Sequence, residues 1–233
     1  MQQAAIVIGA SSGIGEAIAR QLASQGWRVG VAARRAERLE ALAADLGPQI
    51  VPTPLDLADP EEARSRLASL AEALGGVDLW VLNAGMGDPN PNFDWEPERQ
   101  TIVINALGFA AMADIAFHHC CRRGSGHIVG ISSVARFLRR PTAVGYAASK
   151  AFVSVYLDGL RTLARQRRLP VSVTEACPGF VRTAMMKAPS PFWVASPQRA
   201  AERIIEAALA GRKLVFVTRR WRLVAWALAC LPR

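Results

Sequence analysis

Ala4-Ala5-Ile6-Val7-Ile8-Gly9-Ala10-Ser11-Ser12-Gly13-Ile14-Gly15 is the stretch whose reading decides the fold. Its first five residues are all apolar and read as a short, fully buried strand. A glycine turn follows at once, and Ile14, Ile18, Ala19, Leu22 and Ala23 then recur at helical spacing. Strand, glycine turn and helix start together point backbone N–H groups and the positive end of a helix dipole at a phosphate. The glycines permit the tight turn and the close approach of a pyrophosphate. The spacing Gly-x-x-x-Gly-x-Gly differs from the general Gly-x-Gly-x-x-Gly fingerprint, so the loop taken alone also suits a plain strand-to-helix connection.

Outward from this segment the same alternation continues. Apolar strands are expected at Arg28 to Ala33, Ile50 to Leu55, Asp78 to Asn83, His127 to Ser132, Val171 to Ala176 and Leu214 to Val217. Helical patterns fall between them, at Arg35 to Leu46, Pro60 to Leu74, Pro97 to Cys121, Tyr146 to Arg168 and Pro197 to Ala210. Strands alternating with helices predict an α/β fold, a single Rossmann-like doubly wound sheet, mostly parallel, with helices on both faces. The chain has 233 residues, 51% hydrophobic and 20% charged, enough for a sizeable core in one domain over residues 1–233. No internal repeat, low-complexity linker or domain boundary interrupts it.

The chemistry-bearing stretch is Tyr146-Ala147-Ala148-Ser149-Lys150, with Ser133 thirteen positions upstream. Tyr146 and Lys150 are four apart and share a helix face. A free tyrosine titrates near about 10 and is a poor base at neutral pH; a cation one turn away favours the phenolate and lowers that value. The pair alone is a weak signal, since lysines commonly follow tyrosines at this spacing.

Taken together, these segments resemble the short-chain dehydrogenase/reductase family. The resemblance rests on Gly9, Gly13, Ile14 and Gly15, on Asn83-Ala84-Gly85, on Asn105, Ser133, Tyr146 and Lys150, and on Pro178-Gly179-Phe180-Val181-Arg182-Thr183, in family order. It implies the strand order 3-2-1-4-5-6-7 and a catalytic set of Asn105, Ser133, Tyr146 and Lys150. Tyr146 would be the acid in carbonyl reduction and the base in alcohol oxidation, lowered in pKa by Lys150. Ser133 would hydrogen-bond the substrate oxygen, and Asn105 would anchor a water relaying protons from Lys150. The dinucleotide would be held by Gly9, Ser11, Ser12, Gly13, Ile14 and Gly15, by Asp56 and Leu57, by Asn83, Ala84 and Gly85, by Tyr146 and Lys150, and by Pro178, Gly179, Val181 and Thr183. Asp56 also reads as a helix cap, though Asp59 fits that position better.

Cofactor choice turns on Arg34 and Arg35, just past the second strand, with Arg38 following. An acidic residue there would bind a ribose 2′-hydroxyl, whereas arginine accommodates a 2′-phosphate with forked donors. NADP(H) is therefore favoured over NAD(H); the other reading makes these arginines the start of a solvated helix. Substrate walls are expected from Ser133, Val134, Phe137, Leu138 and Tyr146, and from the apolar segment holding Met185, Met186, Pro189, Phe192, Trp193 and Val194. That segment suits a lipophilic pocket or a plain cover for the sheet end. Arg136 stands where many relatives have glycine, and with Arg139 and Arg140 it reads either as a basic pocket mouth or as solvated surface.

The balance of +9 and a pI near 10.4 come without a nucleic-acid module or a continuous basic face, so no nucleic-acid partner is expected. Residues 219–233 form an apolar-basic segment expected to be helical. Its tryptophans and arginines suit peripheral contact with a membrane interface, and equally a helix packed on the cleft or on a partner. Its apolar run is far short of the roughly 20 residues that span a bilayer. The abrupt end at Pro232-Arg233 suits a chain cut from a longer one. Four unpaired-looking cysteines (Cys120, Cys121, Cys177 and Cys230) and a first strand starting almost at Met1 suit a cytoplasmic protein. His118-His119-Cys120-Cys121 is a poor metal site, because neighbours on a helix point apart, and no metal is expected. The resemblance implies a homodimer or homotetramer. Three functions remain open: an NADP(H)-dependent carbonyl reductase, an NAD-dependent alcohol or sterol dehydrogenase, and a non-enzymatic dinucleotide sensor.

Overall fold

The computed structural model describes residues 2–138 and 141–230, with side chains as far as Leu228 in the last helix. Arg139, Arg140 and the terminal residues 231–233, which entered the expectations above, lie outside the described residues. Seven strands alternate with helices: β1 Ala4–Ile8, β2 Arg28–Ala33, β3 Ile50–Pro54, β4 Leu79–Leu82, β5 Gly126–Ile131, β6 Val171–Cys177 and β7 Leu214–Phe216. They form one sheet in the order β3-β2-β1-β4-β5-β6-β7, and every adjacent pair is parallel. The expected strand order is the observed one.

The core follows from the two-residue period of the strands. Ala5 and Val7 of β1 face one side of the sheet, together with Val29 and Val31 of β2. They meet Ile18 and Leu22 of α1 (Gly13–Ser24), Leu39 and Leu42 of α2 (Ala36–Leu46) and Ile204 and Ile205 of α7 (Pro197–Leu209). Ile6 and Ile8 face the other side with Trp80 and Leu82 of β4. There they pack on Leu67 and Leu70 of α3 (Pro60–Ala73), Phe109 and Met112 of α5 (Phe109–Arg123), and Val153 and Leu157 of α6 (Val144–Gln166). Each fully buried Leu or Ile of this kind contributes about 1.5–3 kcal/mol.

One expected helix is three segments. The pattern read over Pro97 to Cys121 begins as α4, Trp95–Ile102, widens into a π-helical turn at Val103–Gly108, and continues as α5. The run is apolar and long enough to cross a membrane by length and composition, but Phe109, Met112, Ala113, Ala116 and Phe117 spend that apolarity inside the second core. Asp59 caps α3, its Oδ1 accepting from the Glu62 N–H at 3.0 Å with Pro60 in the first turn, while Asp56 accepts from the Ala58 N–H. The C-terminal segment includes the helix α8, Trp221–Cys230. The expected metal-poor run also has its own partners. His118 faces Asp114, and the His119 Nε2 accepts from the Val77 N–H at 3.0 Å.

Candidate active site

The sheet's carboxyl edge is where the chain reverses winding, between β1 and β4, and there a cleft of about 1060 Å³ opens. Gly9 leaves β1 with φ of +84°, a conformation glycine adopts without strain. A Cβ on Gly9 would lie 2.7 Å from the backbone of Ala84, and one on Gly15 only 2.2 Å from the Gly9 carbonyl oxygen. The Asn83 amide donates to that same oxygen at 3.0 Å, so the end of β4 braces the glycine turn.

Ser12 precedes α1, yet its hydroxyl makes no cap to the helix. It accepts instead from the Arg35 Nη2 at 2.8 Å, while Ser11 accepts from the Arg35 Nη2 at 2.7 Å and Nε at 3.2 Å. The first N–H groups of α1 therefore point into the cleft without a side-chain cap, as an anion site requires. Arg34 is exposed and lines the same end, whereas Arg38 lies outside the lining. Arg34 and Arg35 thus stand beside the Ser11 and Ser12 hydroxyls at the end of β2. Asp56 and Leu57 after β3, Ala84 and Gly85 after β4, and Pro178, Gly179, Val181 and Thr183 after β6 complete the lining expected for a dinucleotide. Ile14 and Gly13 line it as well; Gly15 sits behind them.

The second half of the cleft brings together Ser133, Tyr146 and Lys150, which also line it. Ser133 follows β5, and its Oγ accepts from the Ala135 N–H at 3.1 Å. Tyr146 and Lys150 occupy the first turns of α6. The Lys150 Nζ is buried, donates to the Ile131 carbonyl at 2.9 Å and lies 5.8 Å from the centre of the Tyr146 ring. Backbone also closes on that ring: a Cβ on Gly87 would come 2.3 Å from it. Asn105, in the π turn, accepts from the Met86 N–H at 2.8 Å and donates to the Met86 carbonyl at 2.7 Å and to the Ser149 hydroxyl at 3.0 Å. Its side chain braces the strand-end loop against α6 and does not reach the cleft lining.

The electrostatics correct one expectation. Burial raises the Tyr146 phenol above its ordinary value, opposed by a hydrogen bond with the Ser133 hydroxyl, and Lys150 is not among the groups that lower it. Lys150 is itself pushed down to about 8 by desolvation. Its hydrogen bond is with a carbonyl, not with the phenol, so in this geometry burial outweighs the cation.

The substrate side differs from expectation in detail. Val134, Leu138, Met185, Met186 and Pro189 line the cleft. Phe137 does not: it turns into a cluster with Val134, Cys177 and Trp221, under the Arg136 guanidinium at 4.3 Å. Phe192 and Trp193 likewise stay outside the lining: Phe192 stacks on Trp221 at 5.2 Å and Trp193 meets it edge to face at 5.6 Å. Trp221, 3% exposed, supplies the wall instead. Of the open readings of the last helix, cleft packing is thus realised by Trp221, while Leu223 and Trp226 remain exposed. Arg136 is neither pocket mouth nor solvated; it pairs with the buried Glu175. Met86, Gly87, Pro89 and Pro91 were missed in the sequence, where only the glycine continuing Asn-Ala-Gly-Met-Gly hinted at a close backbone approach.

Comparison with known proteins agrees with this geometry. The short chain dehydrogenase family profile matches residues 3–191. An uncharacterised oxidoreductase of Myxococcus xanthus is 38% identical over 196 residues, covering 81% of this chain and 77% of the relative. A short-chain dehydrogenase/reductase from Burkholderia phymatum in complex with NAD superposes with a TM-score of 0.88 at 21% identity, over 97% of this chain and 92% of that one. An alcohol dehydrogenase from Thermococcus sibiricus complexed with 5-hydroxy-NADP gives 0.80 at 27% identity, over 93% and 96%.

The buried lysine makes the site costly to fold. Its value is about 8 in the folded protein against 10.5 ordinarily, so between these the unfolded chain binds more protons and stability rises with pH. The penalty is complete below about 8 and fades as pH approaches 10.5. Lys150→Met is expected to raise Tm at neutral pH by a margin that shrinks steadily over that interval. Thermal melts across the interval check this, and a margin independent of pH contradicts it.

Proposed function

The chain belongs to the short-chain dehydrogenase family of NAD(P)-dependent oxidoreductases, and on that premise we propose that it reduces a ketone or aldehyde, or oxidises the matching secondary alcohol, with NADP(H). The observation that carries this reading is the placement of Ser133, Tyr146 and Lys150 on one wall of a cleft whose other end is the glycine loop. When bound, the dinucleotide supplies or accepts the hydride. Tyr146 holds a proton at its phenol, and the raised pKa keeps that proton in place at neutral pH, which suits an acid delivering it to a carbonyl oxygen. Ser133 donates to the same substrate oxygen as negative charge develops there. Lys150 brings a cation to the cleft floor beside Gly85 and Asn105, where it holds ribose hydroxyls. Asn105, its side chain committed to Met86 and Ser149, holds the loop after β4 in place beside Lys150.

Arg34 and Arg35 support NADP(H) over NAD(H): the Arg35 guanidinium is already oriented by Ser11 and Ser12, and so less of its freedom is lost on binding phosphate. Met185, Met186, Leu138, Pro189 and Trp221 support a lipophilic substrate. An NAD-dependent alcohol dehydrogenase with the same catalytic groups is the second reading, favoured only by the exposure of Arg34.

Two exposed apolar surfaces support partners. Ile102, Leu107, Phe152 and Val155, on the helices from α4 to α6, suit pairing with a second copy of the chain. On α8, Leu223 and Trp226 stand out of the fold beside Arg219, Arg220 and Arg222, with no acidic residue after Glu206, a charge pattern that matches an anionic bilayer surface.

Tyr146→Phe is expected to lower kcat for carbonyl reduction by about 10²–10⁴ while nicotinamide fluorescence titration returns an unchanged NADPH affinity; an active variant removes Tyr146 from the chemistry. Arg34→Asp and Arg35→Asp are each expected to weaken NADPH at least about tenfold more than NADH, the loss of a charge-assisted contact. Equal losses, or tighter NADH binding by the parent protein, select the second reading. Sedimentation is expected to give a dimer or tetramer in buffer, reduced to monomer by Val155→Glu. The protein is expected to pellet with phosphatidylglycerol vesicles but not with phosphatidylcholine, in a manner abolished by Trp226→Ser. Equal behaviour with both lipids ends the membrane assignment, and a Trp226→Ser change in oligomeric state instead assigns that face to a second copy.

A further inference from the structure

Behind the cleft lies a charged group that the chemistry above does not use. Glu175, on β6, is 2% exposed, and three neighbours close on its carboxylate. The Ser132 hydroxyl donates to its Oε1 at 2.5 Å, the Ser154 hydroxyl donates to its Oε2 at 3.0 Å, and the Arg136 Nε stands 3.4 Å from Oε1. Arg136 also donates to the Ser154 hydroxyl, which closes the network. The three partners come from different elements. Ser132 adjoins Ser133 at the end of β5, Arg136 lies in the turn that follows, and Ser154 continues the α6 stripe of Tyr146 and Lys150 at intervals of four residues.

We propose that Glu175, clamped by Arg136, is a positioning residue: through Ser132 and Ser154 it sets the spacing between the strand end that carries Ser133 and the helix that carries Tyr146 and Lys150. At the cleft, polar contacts across the same gap run from the Lys150 Nζ to the Ile131 carbonyl and between the Tyr146 phenol and the Ser133 hydroxyl. A buried ion pair is a poor source of net stability, because desolvating both charges consumes most of the Coulomb gain. A hydrophobic pair would hold the elements together as well but would not fix hydroxyls at hydrogen-bond distances. The network stands beside the Cys177 thiol, which together with the Ser133 hydroxyl bears on the Tyr146 phenol. Since the Ser133 hydroxyl favours the phenolate, a loosened Ser133 leaves the phenol harder to ionise.

This inference rests on the catalytic reading of Ser133 and Tyr146, and its test needs no turnover, so the two can fail separately. The chain has two tyrosines, and in a Tyr156→Phe background ¹³Cζ-tyrosine NMR reports Tyr146 alone. Glu175→Gln is expected to move the Tyr146 titration upward by about half a pH unit, as Ser133→Ala does, with little further change when the two are combined. NADPH affinity is expected to stay at the parent value, since the glycine loop is untouched. Glu175→Gln also strands the Arg136 charge and lowers Tm; the pair Arg136→Met with Glu175→Gln is expected to restore Tm but not the Tyr146 titration. Restoration of both shows the ion pair to be structural only and overturns the proposal. Should Glu175→Gln not fold, Ser154→Ala removes the α6 tether alone and is expected to give the same upward movement; an unmoved resonance overturns the proposal equally.

Discussion

The contact on which the site depends is the one between the glycine turn after β1 and the end of β4. Gly9 and Gly15 approach so closely that either Cβ would overlap backbone, and the Asn83 amide locks the turn through the Gly9 carbonyl. That approach places the start of α1 at the point where the sheet reverses its winding. It leaves helix N–H groups facing a cleft instead of a side-chain cap. Everything that recognises a dinucleotide is arranged around this fixed point, because in a parallel sheet all loops that follow strands emerge on one edge.

The other end of the cleft is built on buried polarity. Lys150 is held in a desolvated position, Asn105 spends its amide on bracing Met86 and Ser149, and Glu175 stays ionically paired behind Ser132. Each of these choices costs stability relative to an apolar core. The two extensive hydrophobic clusters on either face of the sheet carry that cost. Rigid neighbours on both sides are also what allow a small shift in hydroxyl position to matter, since a close-packed interior transmits displacement instead of absorbing it.

Much of this was legible before folding. The glycine turn and the parallel alternation were expected from local spacing, and the strand order and the grouping of Ser133, Tyr146 and Lys150 from the family resemblance that the motifs carry. The π turn at Val103–Gly108 was not, since a widened turn has the same apolar periodicity as the helix around it. Phe137 and Trp221 exchanged roles for a related reason: both are apolar and near the cleft in the chain's path, and only packing says that Trp221 faces the lining while Phe137 faces away.

Residue identity and spacing by themselves determined the α/β class and the parallel winding, because hydrophobic period and glycine placement act over a few neighbouring residues. Tertiary structure alone decided the electrostatics. The sign of the Tyr146 shift depends on burial by loops distant in sequence, and Arg136 became a buried partner only because β6 delivers Glu175 beside it. Distances between groups far apart along the chain, and the water excluded between them, set charge interactions, and neither quantity exists until the sheet is assembled.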